Sequence, residues 1–345
     1  MTDWLPLARL RGQRRARSRL EALAASGGPV PPLLFAGPEG VGKRTAALGF
    51  AAALVCLSPD GGEPCGACSA CRRIGEADHV TALRADAPAT APPRVYPDAG
   101  LVSVPPRRTR ISVLQARDIA LSLSQHPFEL SRRIYIVDPA ERMTPAGLNA
   151  LLKTLEEPPD FGVLILVTTV PAALPITVRS RLQLVRFGPL EHEDLIEVLD
   201  AKGLPREEAV ARARVAEGSP GRALAADLDR LQQTASVWER ALLRLDRGEP
   251  PGAVAIEAAQ HLGGSAEEAE AALRFLLGML RDALREPESA LGRTAARLAG
   301  PLLRPIDTVE RLRYELVAIN RNPRLAVEGA VLALAGRLPE RISSL

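Results

Sequence analysis

Residues 37–44 of the chain, Gly-Pro-Glu-Gly-Val-Gly-Lys-Arg, have the G-x4-G-K spacing of a phosphate-binding loop. Glycines at this spacing let the backbone turn its N–H groups towards a phosphate, and the lysine adds a positive charge. An apolar run precedes the loop and an Ala- and Leu-rich segment follows it, so we expect it to join a buried strand to a helix. The candidate phosphate ligands are Gly37, Gly40, Gly42 and Lys43.

Two positions depart from the pattern of an active ATPase. The motif usually continues with Ser or Thr, whose hydroxyl coordinates Mg²⁺, but this chain has Arg44. Thr45 cannot replace that hydroxyl, because one helical step rotates a side chain by about 100°. Asp138 ends a Walker B-type strand, and Pro139 stands where such ATPases carry the Glu that polarises the attacking water, while Glu141 lies two positions further on. The sequence therefore predicts a nucleotide-binding fold without efficient hydrolysis.

The four cysteines of the chain are clustered with the spacing C-x8-C-x2-C-x2-C. A disulfide framework would tie distant segments together, whereas this spacing suits a tetrahedral Cys₄ zinc site. Four protein ligands leave no open position, so we predict a structural role rather than a catalytic one; free or redox-active thiols are the alternative. The predicted ligands are Cys56, Cys65, Cys68 and Cys71. The histidines have neither ligand nor triad spacing: His79, His126, His192 and His261.

A third candidate lies in residues 177–182, Thr-Val-Arg-Ser-Arg-Leu, which follow an apolar strand ending in two threonines. Arginines placed just after such a strand can point out of a domain. An arginine that reaches the γ-phosphate of a neighbouring subunit stabilises the transition state of phosphoryl transfer.

The elements that must position these residues change in type along the chain. Strands alternate with helices up to about residue 188, which predicts a parallel sheet with helices on both faces. From residue 189 to the C-terminus the periodicity is helical, with a further division near residue 230 into a small lid and a larger bundle. Predicted strands cover 33–36, 133–138, 163–169 and 184–187, and predicted helices cover 1–30, 43–57, 111–124 and 144–155. Later helices are expected over 191–203, 206–217, 219–245, 252–262, 265–287, 289–302, 306–320 and 323–337. Residues 86–108, which hold six prolines, are predicted to form a surface loop or an extended excursion.

Composition excludes several classes of protein. With 46% hydrophobic residues the chain is not mainly disordered, and a net charge of +3 argues against a nucleic-acid binder driven by overall basicity. No uninterrupted apolar run has transmembrane length, and the arginine-rich N-terminus lacks the apolar core of a signal peptide. We therefore expect a cytoplasmic protein without a membrane partner.

Together these motifs resemble the subunits of the bacterial DNA polymerase III clamp loader, which are AAA+ proteins. The resemblance extends over about residues 10–230. It rests on the phosphate loop, the cysteine knuckle after the loop's helix, and the run Asn-Ala-Leu-Leu-Lys-Thr-Leu-Glu-Glu-Pro-Pro at 149–159. It is completed by Ser180-Arg181 of the family's Ser-Arg-Cys motif, in which Leu182 here replaces the Cys, and by Gly-Ser-Pro-Gly-Arg-Ala-Leu at 218–224.

The resemblance implies a RecA-like AAA+ α/β domain over 1–188, with a zinc module at 56–71 and a Pro-rich insertion at 86–108. A helical lid over 189–230 and an all-α collar over 231–345 would follow. Motor subunits of the complex carry an intact Gly-Lys-Thr loop and an Asp-Glu pair. Arg44 and Pro139 therefore make this chain resemble the delta prime type, a stator that does not hydrolyse ATP.

The resemblance also implies a mechanism and partners. Arg181 would act in trans as an arginine finger in the ATP site of an adjacent motor subunit, and Arg222 falls where related proteins have a sensor arginine. The collar would join the chain to motor (tau/gamma) and delta subunits in a hetero-pentamer. That assembly opens the sliding clamp and places it on primed DNA during replication. Zn²⁺ would be structural, and the binding of ATP or ADP by the degenerate loop is left open.

Two other functions remain as alternatives. In an active tau/gamma-like motor, Thr45 or Glu141 would take over the lost catalytic roles. In a nucleic-acid-binding zinc module with a vestigial phosphate loop, Arg72 and Arg73 would be the adjacent contacts to phosphates or bases.

Overall fold

The computed structural model describes residues 5–76, 98–104, 109–299, 303–318 and 321–336. The chain divides into two compact units. The first comprises Met1–Leu195 and Gly218–Gly221, and the second comprises Ile196–Glu217 and Arg222–Leu345. The boundaries predicted at residues 188 and 230 stay predictions.

The first unit is built on a five-stranded parallel sheet in the order β2-β3-β4-β1-β5. Its strands are β1 (Leu33–Ala36), β2 (Ala99–Val102), β3 (Arg133–Val137), β4 (Gly162–Thr168) and β5 (Gln183–Arg186). At the end of β1, Ala36 is in register with Thr168 of β4 and Arg186 of β5. The segments that follow these three strands therefore leave the sheet at one edge, where α/β proteins bind their ligands.

Apolar cores lie on both faces of the sheet, as predicted. Leu33 and Phe35 belong to one core and Leu34 and Ala36 to the other, because successive side chains of a strand point to opposite faces. The helices are α1 (Arg14–Ala25), α2 (Lys43–Val55), α3 (Ser69–Glu76), α4 (Val113–Leu123), α5 (Pro145–Ala150), α6 (Leu152–Glu156) and α7 (Ile176–Arg179). The helix expected over 144–155 is thus two helices, which meet at Leu151.

The surface loop or extended excursion predicted over 86–108 is wrong for residues 99–102, which are buried in the sheet. Residues 99–102, Ala-Gly-Leu-Val, form the fully buried strand β2 at one end of the sheet. Gly100 lies against the ring of Tyr135, where an added Cβ would approach Cε1 to 2.8 Å. A four-residue strand between prolines gives almost no periodic signal, so the composition of its flanks concealed it. Residues 86–97 and 105–108 of this segment lie outside the described part of the chain.

A buried ion pair fixes the sheet at β2. The side chains of Asp98 and Arg133 are each 4% exposed, and Asp98 Oδ1 lies 2.9 Å from Arg133 Nη2. Asp98 Oδ2 accepts the backbone N–H groups of residues 128–130 at 2.5 to 2.9 Å. Arg133 also donates to Ser122 Oγ at 3.0 Å and to His126 O at 2.8 Å. One carboxylate therefore organises both the strand and the loop before β3.

We expect Asp98→Ala to lower the free energy of unfolding by about 3–5 kcal/mol, because it leaves the buried Arg133 without a counter-charge. Urea unfolding followed by circular dichroism measures this change. Asp160→Ala is the matched control, since Asp160 is exposed, and its expected effect is within about 0.5 kcal/mol. A loss below about 1 kcal/mol for Asp98→Ala would contradict the assigned role.

The second unit contains only helices within its described residues. The later helices are α8 (His192–Ala201), which begins in the first unit, then α9 (Arg206–Val215), α10 (Pro220–Ala225), α11 (Leu228–Asp246), α12 (Pro251–Leu262), α13 (Ala266–Arg285), α14 (Ala290–Ala299), α15 (Leu303–Ala318) and α16 (Pro323–Leu334). The helix expected over 219–245 is interrupted at Asp227, whose side chain caps α11. Trp238 is completely buried and donates to Ala272 O at 3.0 Å. Among the described residues, no helix is both long and apolar enough to cross a membrane.

Candidate functional site

The predicted phosphate loop joins β1 to α2, as expected. Gly40 and Gly42 have φ of +72° and +95°, a region that favours glycine. Gly37 is required for a different reason: an added Cβ would lie 2.1 Å from the carbonyl oxygen of Phe187. The loop thus has the turn and the close backbone approach that its glycines predict, and Gly42 caps the N-terminus of α2.

Lys43 is folded back onto this loop. Its side chain is buried, and Nζ donates to Gly37 O at 2.7 Å and to Pro38 O at 2.5 Å. Burial lowers the pKa of Lys43, and the negative charges of three acids oppose that shift. These acids are Asp138, Glu141 and Glu39. A phosphate at this loop would have to compete with the two carbonyls for Lys43.

A segment that the sequence did not associate with the loop holds it in place. Ser219 Oγ donates to Glu39 O at 2.9 Å, and Gly221 N donates to Gly40 O at 2.9 Å. An added Cβ at Gly221 would lie 2.9 Å from Gly40 Cα, so only glycine fits. The signal for this contact was the small-residue run at 218–221, which the sequence assigned to the lid.

Glu141 is hydrogen-bonded to the residue that follows β4. It lies in a 3-10 helix, Ala140–Arg142, and its Oε1 accepts from Thr169 N at 3.1 Å and from Thr169 Oγ1 at 2.6 Å. Burial would raise the pKa of Glu141, but the hydrogen bonds from Thr169 outweigh it and hold the pKa below its usual value. A carboxylate stabilised in this way is a weaker general base.

The side chains at the magnesium-ligand position agree with the sequence argument. Arg44 is exposed in the first turn of α2, whereas the next residue, Thr45, is half-buried. The two side chains therefore point in different directions, as the helical step requires. Position 44 itself therefore offers a guanidinium and no hydroxyl.

Arg181 lies just after α7 and is held by contacts to two elements. Its Nε and Nη2 lie 2.8 Å and 2.5 Å from Glu156 Oε1, at the end of α6. Its Nη1 donates to Thr177 O at 2.7 Å. The side chains of Arg181 and Glu156 are 35% and 50% exposed, so the ion pair lies at the surface. Two segments that carry the sequence resemblance, 149–159 and 177–182, thus meet at this pair.

Arg222, the residue that the resemblance predicts as a sensor arginine, forms an ion pair in the second unit. It contacts Glu217 Oε2 at 2.6 Å through Nη1, and Arg313 also pairs with Glu217. Burial would raise the pKa of Glu217, but the hydrogen bond and charge of Arg313 lower it. Glu217 has a φ of +48°, an uncommon conformation for a residue other than glycine.

The four cysteines come together as predicted. All four Sγ atoms lie within 4.8 Å of one another, and the cysteines are free rather than disulfide-bonded. Cys56 ends α2 and Cys71 lies on α3. A two-residue turn, Gly61-Gly62 with φ of +57° and +87°, returns the chain between them. Tetrahedral zinc with four sulfur ligands has S–S separations of about 3.8 Å, so a cluster within 4.8 Å suits such an ion.

The local environment favours thiolates at two of the four positions. The backbone N–H of Leu57 lowers the pKa of Cys68 to about 6, and that of Ala67 lowers the pKa of Cys65. Burial raises the pKa of Cys71, as expected for a thiol in an apolar setting. In the described chain these four cysteines form the one group of His, Cys, Asp or Glu residues that could hold a metal.

The described histidines stay outside these sites. His126 packs its ring 4.3 Å from that of Phe161, and His192 and His261 belong to helices. His79 lies outside the described residues.

Comparisons with known proteins place the first unit among bacterial replication proteins. A family model described as DNA polymerase III, delta subunit, matches residues 12–191, just over half of the chain. The DNA polymerase III subunit tau of Bacillus subtilis is 32% identical over 179 residues, which is 51% of this chain and 28% of that protein. The DNA polymerase III subunit delta' of the same organism is 34% identical over 158 residues, 46% of this chain and 42% of that protein.

Other relatives extend this pattern. The subunit delta' of Pseudomonas aeruginosa is 33% identical over 148 residues, covering 43% of this chain and 40% of that protein. The match thus spans less than half the length of each of these three relatives. Among solved structures, a DNA polymerase III gamma subunit-related protein of Thermotoga maritima has a TM-score of 0.41 at 18% identity, covering 92% of this chain and 99% of that one.

Proposed function

The chain belongs to the DNA polymerase III, delta subunit family, and from that membership we propose that it is a non-hydrolysing stator of the delta prime type in the clamp loader. In this role it would supply Arg181 to the ATP site of a neighbouring motor subunit. The assembly would then load the sliding clamp onto primed DNA during replication.

The state of its own phosphate loop is the observation that carries this proposal. Position 44 offers a guanidinium instead of a magnesium ligand, and Pro139 follows Asp138 where a catalytic Glu is needed. Glu141, the next acid after Asp138 in the sequence, is hydrogen-bonded to Thr169. Lys43 remains, yet it is engaged with the loop's own carbonyls. Binding without turnover is the most that such a loop supports, and whether ATP or ADP binds there is a separate question.

Arg181 would act through its charge. A guanidinium placed beside a γ-phosphate stabilises the negative charge that develops as the phosphoryl group is transferred. Its exposure at the surface of the first unit suits an arginine that reaches into another subunit. Leu182, which replaces the cysteine of the family motif, is buried in the core and supports the backbone beneath Arg181.

The partners follow from the same proposal. Motor (tau/gamma) and delta subunits would complete a hetero-pentamer, joined through a collar formed by the C-terminal helices. Cys56, Cys65, Cys68 and Cys71 would hold one structural Zn²⁺, since four thiolates with no open position suit a structural site. The metal would thus connect α3 to the end of α2, which is the helix that follows the phosphate loop.

An active motor is the second candidate, favoured by the similarity to subunit tau. A motor would need another ligand for Mg²⁺ in place of the residue at position 44. It would also need a general base other than a Glu141 that is hydrogen-bonded to Thr169. The nucleic-acid-binding zinc module has less support, because Arg73, one of its two expected contacts, is paired with Glu129.

Co-purification and ATP turnover distinguish the stator from the motor. We expect the purified chain alone to show no ATPase activity above background, and to co-elute with the tau/gamma and delta subunits of the same organism. Adding it to those subunits should raise their ATP turnover, because it completes one site. Turnover by the isolated chain that is abolished by Lys43→Ala would establish the motor instead.

A further inference from the structure

The guanidinium of Arg181 is exposed, yet contacts to all three of its nitrogen atoms fix its orientation. Glu156 Oε1 contacts both Nε and Nη2, at 2.8 Å and 2.5 Å, and the carbonyl of Thr177 accepts from Nη1 at 2.7 Å. These two anchors come from different helices, α6 and α7. Contacts to all three nitrogen atoms fix the plane of the guanidinium as well as its position.

This ion pair contributes little to folding. A salt bridge between side chains that are 35% and 50% exposed adds little to stability, because water screens it. A free arginine side chain, however, carries rotamer entropy that must be lost when it docks on a phosphate. An anchor that orders the side chain beforehand lowers that cost in the transition state.

The neighbouring glutamate provides an internal comparison. Glu157 is also exposed and directly follows Glu156 in the run at 149–159. Its side chain is not among the contacts of Arg181 in the described chain. Since both residues carry the same charge at nearly the same place, general electrostatics cannot explain a difference between their variants.

We propose that Glu156 is a positioning residue that orients Arg181 towards the γ-phosphate in the neighbouring subunit's site, an inference that rests on the proposed function. Its carboxylate holds the Nε/Nη2 edge of the guanidinium, while Thr177 O holds Nη1. Glu156 itself contacts no nucleotide. Its effect on catalysis passes entirely through Arg181.

The test uses clamp loaders reconstituted with the full chain carrying Glu156→Ala, Glu156→Gln, Glu157→Ala or Arg181→Ala. The measured quantity is the part of ATP turnover that depends on this chain. We expect Glu156→Ala to lower its kcat roughly 10-fold with an unchanged KM for ATP, because orientation is lost and ATP binding is not. Glu156→Gln should lose less, because the amide oxygen still accepts, and Glu157→Ala should match the wild type.

A double variant shows whether Glu156 acts through Arg181. Glu156→Ala in the Arg181→Ala background should cause no further loss, because the group that it positions is gone. A further loss of similar size in the double variant would overturn the inference. An increase in turnover for Glu156→Ala alone would also overturn it, because it would indicate that Glu156 keeps Arg181 away from the phosphate. Unfolding midpoints and co-elution of each variant verify folding, and Glu156→Gln provides the result if the alanine variant is unstable.

The outcomes also separate this inference from the proposed function. If Arg181→Ala lowers turnover while Glu156→Ala behaves like Glu157→Ala, the arginine finger stands and its positioning by Glu156 is wrong. If Arg181→Ala has no effect, both are wrong.

Discussion

Replacing Arg181 by alanine is expected to reduce the ATP turnover that this chain induces in the clamp loader by about 10³-fold or more. The guanidinium would face charge that grows on the transferring phosphoryl group, so its removal costs transition-state stabilisation and leaves ground-state binding nearly unchanged. Because Arg181 lies at the surface and its ion pair contributes little to stability, the variant should still fold and assemble.

The measurement compares complexes containing the wild type or the variant with motor subunits alone, since other sites in the assembly keep their own turnover. Arg186→Ala is the matched control, because Arg186 is an exposed arginine on the nearby strand β5. Equal chain-dependent turnover for the two variants would show that Arg181 is not the finger. A KM that rises at constant kcat would assign it to ATP binding instead.

The second large effect is expected at the cysteine cluster. Metal analysis of the purified chain should find about one equivalent of zinc, and Cys71→Ser should reduce it to near zero. Cys71 is buried on α3 and belongs to the apolar core on one face of the sheet. In the variant, loss of the metal therefore leaves the polar serine hydroxyl in that core. Metal binding and folding are coupled, and structural zinc contributes about 10–16 kcal/mol in small zinc-finger peptides.

In this chain the stabilisation lost should be smaller, because α2 and α3 keep apolar contacts with the same core. We still expect a clearly lower unfolding midpoint for Cys71→Ser and for wild-type protein treated with a chelator. Ser69→Ala, two residues away on the same helix, should retain both metal and midpoint. Metal-free wild-type protein with an unchanged midpoint would refute the zinc site.

Long periodic segments were predictable from the sequence for a simple reason. Helices such as α13 and α16 and strands such as β4 bury a continuous apolar face, and that pattern is local. The glycines of the phosphate loop and the spacing of the cysteines are equally local, because each motif lies within a short stretch of sequence. These predictions therefore needed no knowledge of distant contacts.

The errors occur where distant residues decide the outcome. Strand β2 has only four residues, and it is a strand because β3 pairs with it and Asp98 binds Arg133. Ser219 and Gly221 bind the phosphate loop from about 180 residues away, a separation that no sequence period reveals.

By itself, the sequence determined the residue types available for chemistry: a lysine and glycines for phosphate, four thiols for a metal, and Arg44 and Pro139 in place of catalytic groups. Tertiary structure decided how those groups are engaged. It placed Lys43 on the loop's own carbonyls, Glu141 on Thr169 and Arg181 on Glu156. Motifs encode chemistry through short spacings, whereas hydrogen bonds and ion pairs between segments depend on how the folded sheet brings distant residues together.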